Sequence, residues 1–162
     1  MLYKIIYLFL LTFVIVSCSD DETNSSIGKV THFSECKSNS RLLKSSTPSN
    51  QTCVIYSYNG GNKLLITHIN AGFNCCPKTI LADVKLQGNN IVITEKEAES
   101  GCRCLCLYDI DIEANNIIPG NYSIIFVEPY AEQGPPIEFD ANLTTALTDT
   151  LYFSRNYYPW GG

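Results

Sequence analysis

The chain has 162 residues, a formal net charge of −5 at pH 7 and only 17% charged residues. That length suits one domain of ordinary size with a core of its own. The acidic balance speaks against nucleic acid and against docking on an anionic bilayer, because both need a basic patch.

Residues 1–17 read as a signal peptide. Lys4 is the only charge ahead of Cys18, and Ile5 to Val16 is an almost unbroken apolar run. As a helix that run is roughly 18 Å long, short of the ~30 Å hydrocarbon core, so it is a signal core and not a membrane span. The boundary Ile15-Val16-Ser17-Cys18 resembles the lipobox of bacterial lipoproteins. The resemblance implies cleavage before Cys18, diacylglycerol on its sulfur and an acylated amine; several acyl chains make such an anchor stable. Ser19-Asp20-Asp21-Glu22 resembles the acidic export signal of surface-exposed lipoproteins in some Gram-negative bacteria. The implied location is the outer membrane, lipid-anchored at the cell surface, with a periplasm-facing position as the alternative. Residues 18–27 then form a lipidated flexible tether, and residues 28–162 the folded domain.

Beyond the tether the chain reads as strand, turn, strand. Strands are expected over Gly28 to Cys36, Thr52 to Tyr58, Lys63 to Asn70, Ile80 to Leu86, Ile91 to Lys96, Arg103 to Glu113, Asn121 to Glu128, Ile137 to Leu143 and Thr150 to Ser154. Asn59-Gly60-Gly61-Asn62 and Gly88-Asn89-Asn90 are hairpin signals, while Lys37 to Gln51, with Pro48, is a loop. Arg103 to Glu113 is expected to be the longest strand. No window holds a 3.6-residue apolar period, so the fold class is all-β: a single antiparallel β-sandwich of about 7–9 short strands. Pro119-Gly120-Asn121-Tyr122-Ser123-Ile124-Ile125-Phe126 resembles the turn-into-strand stretch of immunoglobulin-like and fibronectin-like domains, which implies an immunoglobulin-like architecture. The Cys-Trp-Cys hallmark of true immunoglobulin domains is missing, since the only Trp is Trp160.

Seven cysteines follow Cys18: Cys36, Cys53, Cys75, Cys76, Cys102, Cys104 and Cys106. In an exported chain they read as a disulfide framework. Cys102, Cys104 and Cys106 share one strand face at roughly 6.5–7 Å spacing, too far apart to pair with one another. They need partners on a neighbouring strand, and Cys75 and Cys76 are the candidates. Opposite facing of adjacent residues suggests that only one of that pair reaches inward. Cys36 and Cys53 flank the first loop and are expected to form a second bridge. The full connectivity is open from sequence. The alternative is a Zn²⁺ or Cu⁺ site built from Cys75, Cys76, Cys102, Cys104, Cys106 and His68. Tetrahedral sulfurs lie about 3.8 Å apart, so regular strand spacing would need a bulge.

His32 and His68 lack any surrounding nucleophile motif, and no catalytic residue, cofactor or resident metal is assigned. Asp109, Asp111 and Glu113 read as a solvated face. In the aromatic tail, Tyr157, Tyr158 and Trp160 are candidate binding residues for a glycan or a protein. The sequence therefore points to a non-enzymatic binding or accessory module whose expected partner is the membrane, through lipid on Cys18.

Overall fold

The structure is a computed structural model that describes residues 25–37, 47–131, 136–145 and 147–155. Cys18, the signal peptide, the acidic run after Cys18, and Tyr157, Tyr158 and Trp160 lie outside the described residues. Nine strands are present among the described residues: β1 Gly28–Phe33, β2 Gln51–Tyr58, β3 Lys63–Asn74, β4 Pro77–Gln87, β5 Asn90–Ser100, β6 Leu105–Asn115, β7 Asn121–Val127, β8 Glu138–Asn142 and β9 Thr148–Ser154. They form a five-stranded sheet in the order β1-β6-β3-β2-β9 and a four-stranded sheet in the order β4-β5-β7-β8. The expected β-sandwich is therefore present.

It is not antiparallel throughout. β5 and β7 run parallel, with Ile91 opposite Ile124 and Ile93 opposite Phe126. The strand between them in sequence, β6, crosses to the other sheet, and the chain returns in the original direction. The longest strand is β3, with 12 residues, and not β6. β3 outruns its expected end at Asn70 because the pairing with β6 shifts register between Ile69 and Ala71, and the chain then continues to Asn74. Asn70 adopts φ +62° there, a left-handed conformation that Asn tolerates better than most residues.

The alternating apolar positions meet between the sheets. Val54, Tyr56, Leu64, Ile66, Ile110 and Ile112 of the larger sheet face Ile80, Val84, Ile91, Ile93, Ile124 and Phe126 of the smaller one, all buried. Each such aliphatic side chain contributes on the order of 1.5–3 kcal/mol when removed from water. Two of the buried tyrosines keep their hydroxyls bonded: Tyr58 donates to Ile117 O at 2.9 Å and Tyr108 to Asn74 O at 3.0 Å.

One seam joins the two sheets. Ile27 N donates to Val84 O at 2.8 Å, and Asn115 N donates to Ile27 O at 2.8 Å. The fold thus takes in Ser26 and Ile27, which the sequence assigns to the tether. At Gly28 an added Cβ would lie 2.5 Å from Glu113 O and 2.8 Å from Val84 Cγ2, so only glycine fits at the start of β1, wedged between β6 and β4.

Candidate functional site

The cysteines pair as Cys36–Cys106, Cys75–Cys104 and Cys76–Cys102, with Cα–Cα separations of 5.5, 5.5 and 5.8 Å. All are within the range a disulfide spans. The pairing of Cys36 with Cys53 is corrected. β1 lies beside β6 and not beside β2, and two strands intervene between them, so Cys36 and Cys53 are roughly 14 Å apart at ~4.8 Å per strand. Cys36 instead runs alongside β6, where Lys37 N bonds Leu107 O at 2.9 Å. Cys75 and Cys76 both form bridges because they sit in the bend after β3, where strand alternation no longer applies. For the same reason only Cys106 of the three spaced cysteines is buried; Cys102 and Cys104 precede β6 and are exposed. Cys53 forms no disulfide and is buried on β2. Burial pushes its thiol pKa up, against a hydrogen bond from Tyr152, which leaves it a weak nucleophile.

The second cluster is one that sequence reasoning missed. Thr52, His68 and Glu95 of β2, β3 and β5 meet between the sheets with Glu128 and Arg155, the residues immediately after β7 and β9. Each continues the inward phase of its strand by one step. His68 follows Leu64 and Ile66, Glu95 follows Ile91 and Ile93, Glu128 follows Ile124 and Phe126, and Arg155 follows Leu151 and Phe153. Thr52 precedes Val54 and Tyr56 in the same way. The parallel pairing of β5 and β7 sets the two carboxylates side by side, since Thr94 is opposite Val127 and the next step is Glu95 and Glu128. A polar residue in the apolar phase is the signal that locates them.

His68 is the hub. Its Nδ1 lies 2.7 Å from Glu95 Oε1, and its Nε2 lies 2.7 Å from Thr52 Oγ1 and 3.9 Å from Glu128 Oε1. Arg155 donates to Glu128 Oε2 at 2.5 Å. The Phe126 ring packs edge-on against the imidazole, with centroids 5.1 Å apart. The side chains of His68 and Glu95 are 0% exposed, those of Glu128 and Arg155 1%. Thr52 has a single hydroxyl proton, and it donates to Ile69 O at 2.8 Å. Its oxygen therefore accepts from Nε2–H, while Nδ1–H is given to Glu95. With both ring nitrogens donating, this arrangement favours the imidazolium, while burial also pushes the Glu95 carboxyl up against the pull of His68. Burial by itself would lower the His68 pKa, but the Glu95 carboxylate, through charge and hydrogen bond, and then Glu128 outweigh burial and raise it. Two carboxylates, one imidazolium and one guanidinium cancel in charge, which is what makes their joint burial tolerable.

The line Glu95–His68–Thr52 has the order of a carboxylate, base and hydroxyl. It does not activate the hydroxyl here: the imidazole already holds both protons, and the Thr52 proton is engaged elsewhere. Two carboxylate oxygens, Glu95 Oε2 and Glu128 Oε1, are buried with no hydrogen-bond partner.

His68 does not join the cysteines, as the alternative metal set required. Ligand atoms of His68, Glu95 and Glu128 lie within 4.8 Å of one another, and separately so do the sulfurs of Cys36, Cys75 and Cys106. The acidic face of β6 is solvated and paired piecemeal: Asp109 with Lys37, Asp111 with Thr67 and Glu113 with Lys63. An open depression of about 500 Å³ lies elsewhere, lined by Asn89, Asn90, Asn121, Asp140 and Asn142 together with Tyr122 and Ala141 among others. No family model, no curated protein and no solved structure matches the chain.

Proposed function

We propose that the protein is a lipid-anchored extracytoplasmic lipoprotein, a non-enzymatic binding or accessory module held on the outer membrane through Cys18 and displayed at the cell surface. The observation that carries this reading is the set of three disulfides joining β3, β4, β6 and the segment after β1. Such a framework belongs to an oxidising compartment, and it agrees with the lipobox-like boundary at Cys18. The depression lined by asparagines is one surface offered to a glycan or protein, and Tyr157, Tyr158 and Trp160 are the candidate binding residues of the sequence. Planar amides and aromatic rings both suit hydroxyl-rich ligands.

The test is fractionation of cells expressing the natural chain and Cys18→Ala. Loss of membrane association and of the acyl mass in the variant supports the anchor; a variant that stays membrane-bound refutes it. Display is read by protease treatment of intact cells with Asp20, Asp21 and Glu22 replaced by Ala. A second reading, metal binding by the cysteines, draws on the grouping of the Cys36, Cys75 and Cys106 sulfurs. Thiol titration of the unfolded protein with and without reductant, with elemental analysis, decides between them. Mostly free thiols with bound Zn or Cu would favour the metal.

A further inference from the structure

We propose that His68, Glu95 and Glu128 form a buried site for a divalent transition-metal ion, Zn²⁺ foremost, independent of the cysteines, one carboxylate binding through both oxygens to complete four donors. Two observations on the same side chains meet here. The first is the donor set: one imidazole and two carboxylates, from β3, β5 and the end of β7, with ligand atoms within 4.8 Å of one another. Zinc binds nitrogen and oxygen at about 2.0–2.2 Å, so tetrahedral ligand atoms sit roughly 3.3–3.6 Å apart. Side-chain shifts of about an ångström reach that geometry. The second is the pair of orphaned acceptors. Glu95 Oε2 and Glu128 Oε1 have no hydrogen-bond partner, although their side chains are 0% and 1% exposed. A buried carboxylate oxygen without a donor is costly, and a cation satisfies two at once.

The surroundings supply what an ion site needs around its ligands. Thr52 holds the imidazole through Nε2, so a metal takes Nδ1 by displacing its bond to Glu95 Oε1, and Glu128 Oε1 swings over from its place 3.9 Å off Nε2. Arg155 holds the second oxygen of Glu128 and aims the first. Phe126 closes the ring face. The ion takes the place of the imidazole proton shared with Glu95; that proton leaves to solvent, the imidazole becomes neutral, and the cluster goes from no net charge to +1. Nitrogen and oxygen donors with one imidazole suit Zn²⁺ or Mn²⁺ and exclude the soft Cu⁺ that thiolates would select. Since every ligand is closed off from solvent, the ion enters while the sheets assemble and leaves only when they part.

The experiment uses the full chain, disulfides intact, expressed in medium supplemented with ZnCl₂ and dialysed exhaustively against EDTA. The expected result is stoichiometric zinc that survives dialysis, with an X-ray absorption edge showing only nitrogen and oxygen neighbours near 2.0–2.1 Å. Glu95→Gln and Glu128→Gln together should abolish it, and Thr52→Val should weaken retention about 10–100-fold. Refolding the natural chain in EDTA should lower its Tm, and refolding with ZnCl₂ should restore it. Metal-free protein with a Tm indifferent to zinc overturns the proposal. So does zinc with sulfur neighbours near 2.3 Å, the signature of the cysteine reading. Both outcomes are read on the natural chain, so the test stands even where a variant fails to fold.

Discussion

Two regions of the sandwich solve the same problem, holding strands from different places together, by opposite means. Around Cys36, Cys75, Cys76 and Cys102 to Cys106 the links are covalent, and several of their atoms face water. Around His68 the links are charged, non-covalent and closed to solvent. The first region survives local fraying, because each bridge holds when the strands part. The second depends on complete assembly, because each charge is tolerable only while its partner is present. Covalent links act mainly by restricting the unfolded chain, whereas buried ion pairs act by making partial structures expensive.

Breaking the charged region should have the largest effect. Arg155→Leu leaves the buried Glu128 with only His68, 3.9 Å away, as counter-charge and should cost about 3–5 kcal/mol, read from the urea midpoint at fixed slope. Adding Glu128→Leu should restore much of that loss, as replacing a whole buried pair with apolar groups often does. The covalent region comes next. Replacing Cys36 and Cys106 with Ala should cost about 2–5 kcal/mol. The same change at Cys76 and Cys102 should cost roughly 0.9 kcal/mol less, since those bridges close 70 and 26 residues of chain respectively. Equal losses would show that loop length does not govern these staples.

Smaller effects sharpen the contrast at the border between the regions. The Asn70 amide donates to Pro48 O at 3.0 Å and Gln51 O at 2.8 Å, clamping the segment that leads into β2. Asn70→Ala should cost about 1–3 kcal/mol and speed amide exchange at residues 48–51. Tyr130 donates to Glu97 at 2.5 Å, and that bond with burial holds its pKa up at about 12. The folded value lies above the unfolded ~10, so the contribution is complete below ~10 and lost as pH rises through about 12. Tyr130→Phe should therefore lower stability by about 1 kcal/mol at pH 7 and hardly at all above pH 12.

Sequence reasoning reads these regions unequally. All nine strands are legible from alternation and from turns such as Asn59 to Asn62, and the cysteines announce a disulfide framework by type and number. Their pairing is not legible, because it depends on β1 lying beside β6, a long-range choice that no local pattern in Gly28 to Cys36 encodes. The charged cluster leaves a fainter trace. His68, Glu95, Glu128 and Arg155 each look like an ordinary polar residue at a strand end. Only their common phase with Ile66, Ile93, Phe126 and Phe153 shows that they point inward, and only the parallel register of β5 and β7 shows that they meet.

The seam at Ile27 and Gly28 has a mechanical consequence. A pull arriving from the N-terminal side of the chain first meets the bonds from Ile27 to Val84 and Asn115, and then the short ladder of β1 on β6. These open one after another, like a zip, and the unravelling halts at Cys36, which is bolted to Cys106. The domain thus carries a short strand ahead of a covalently locked body.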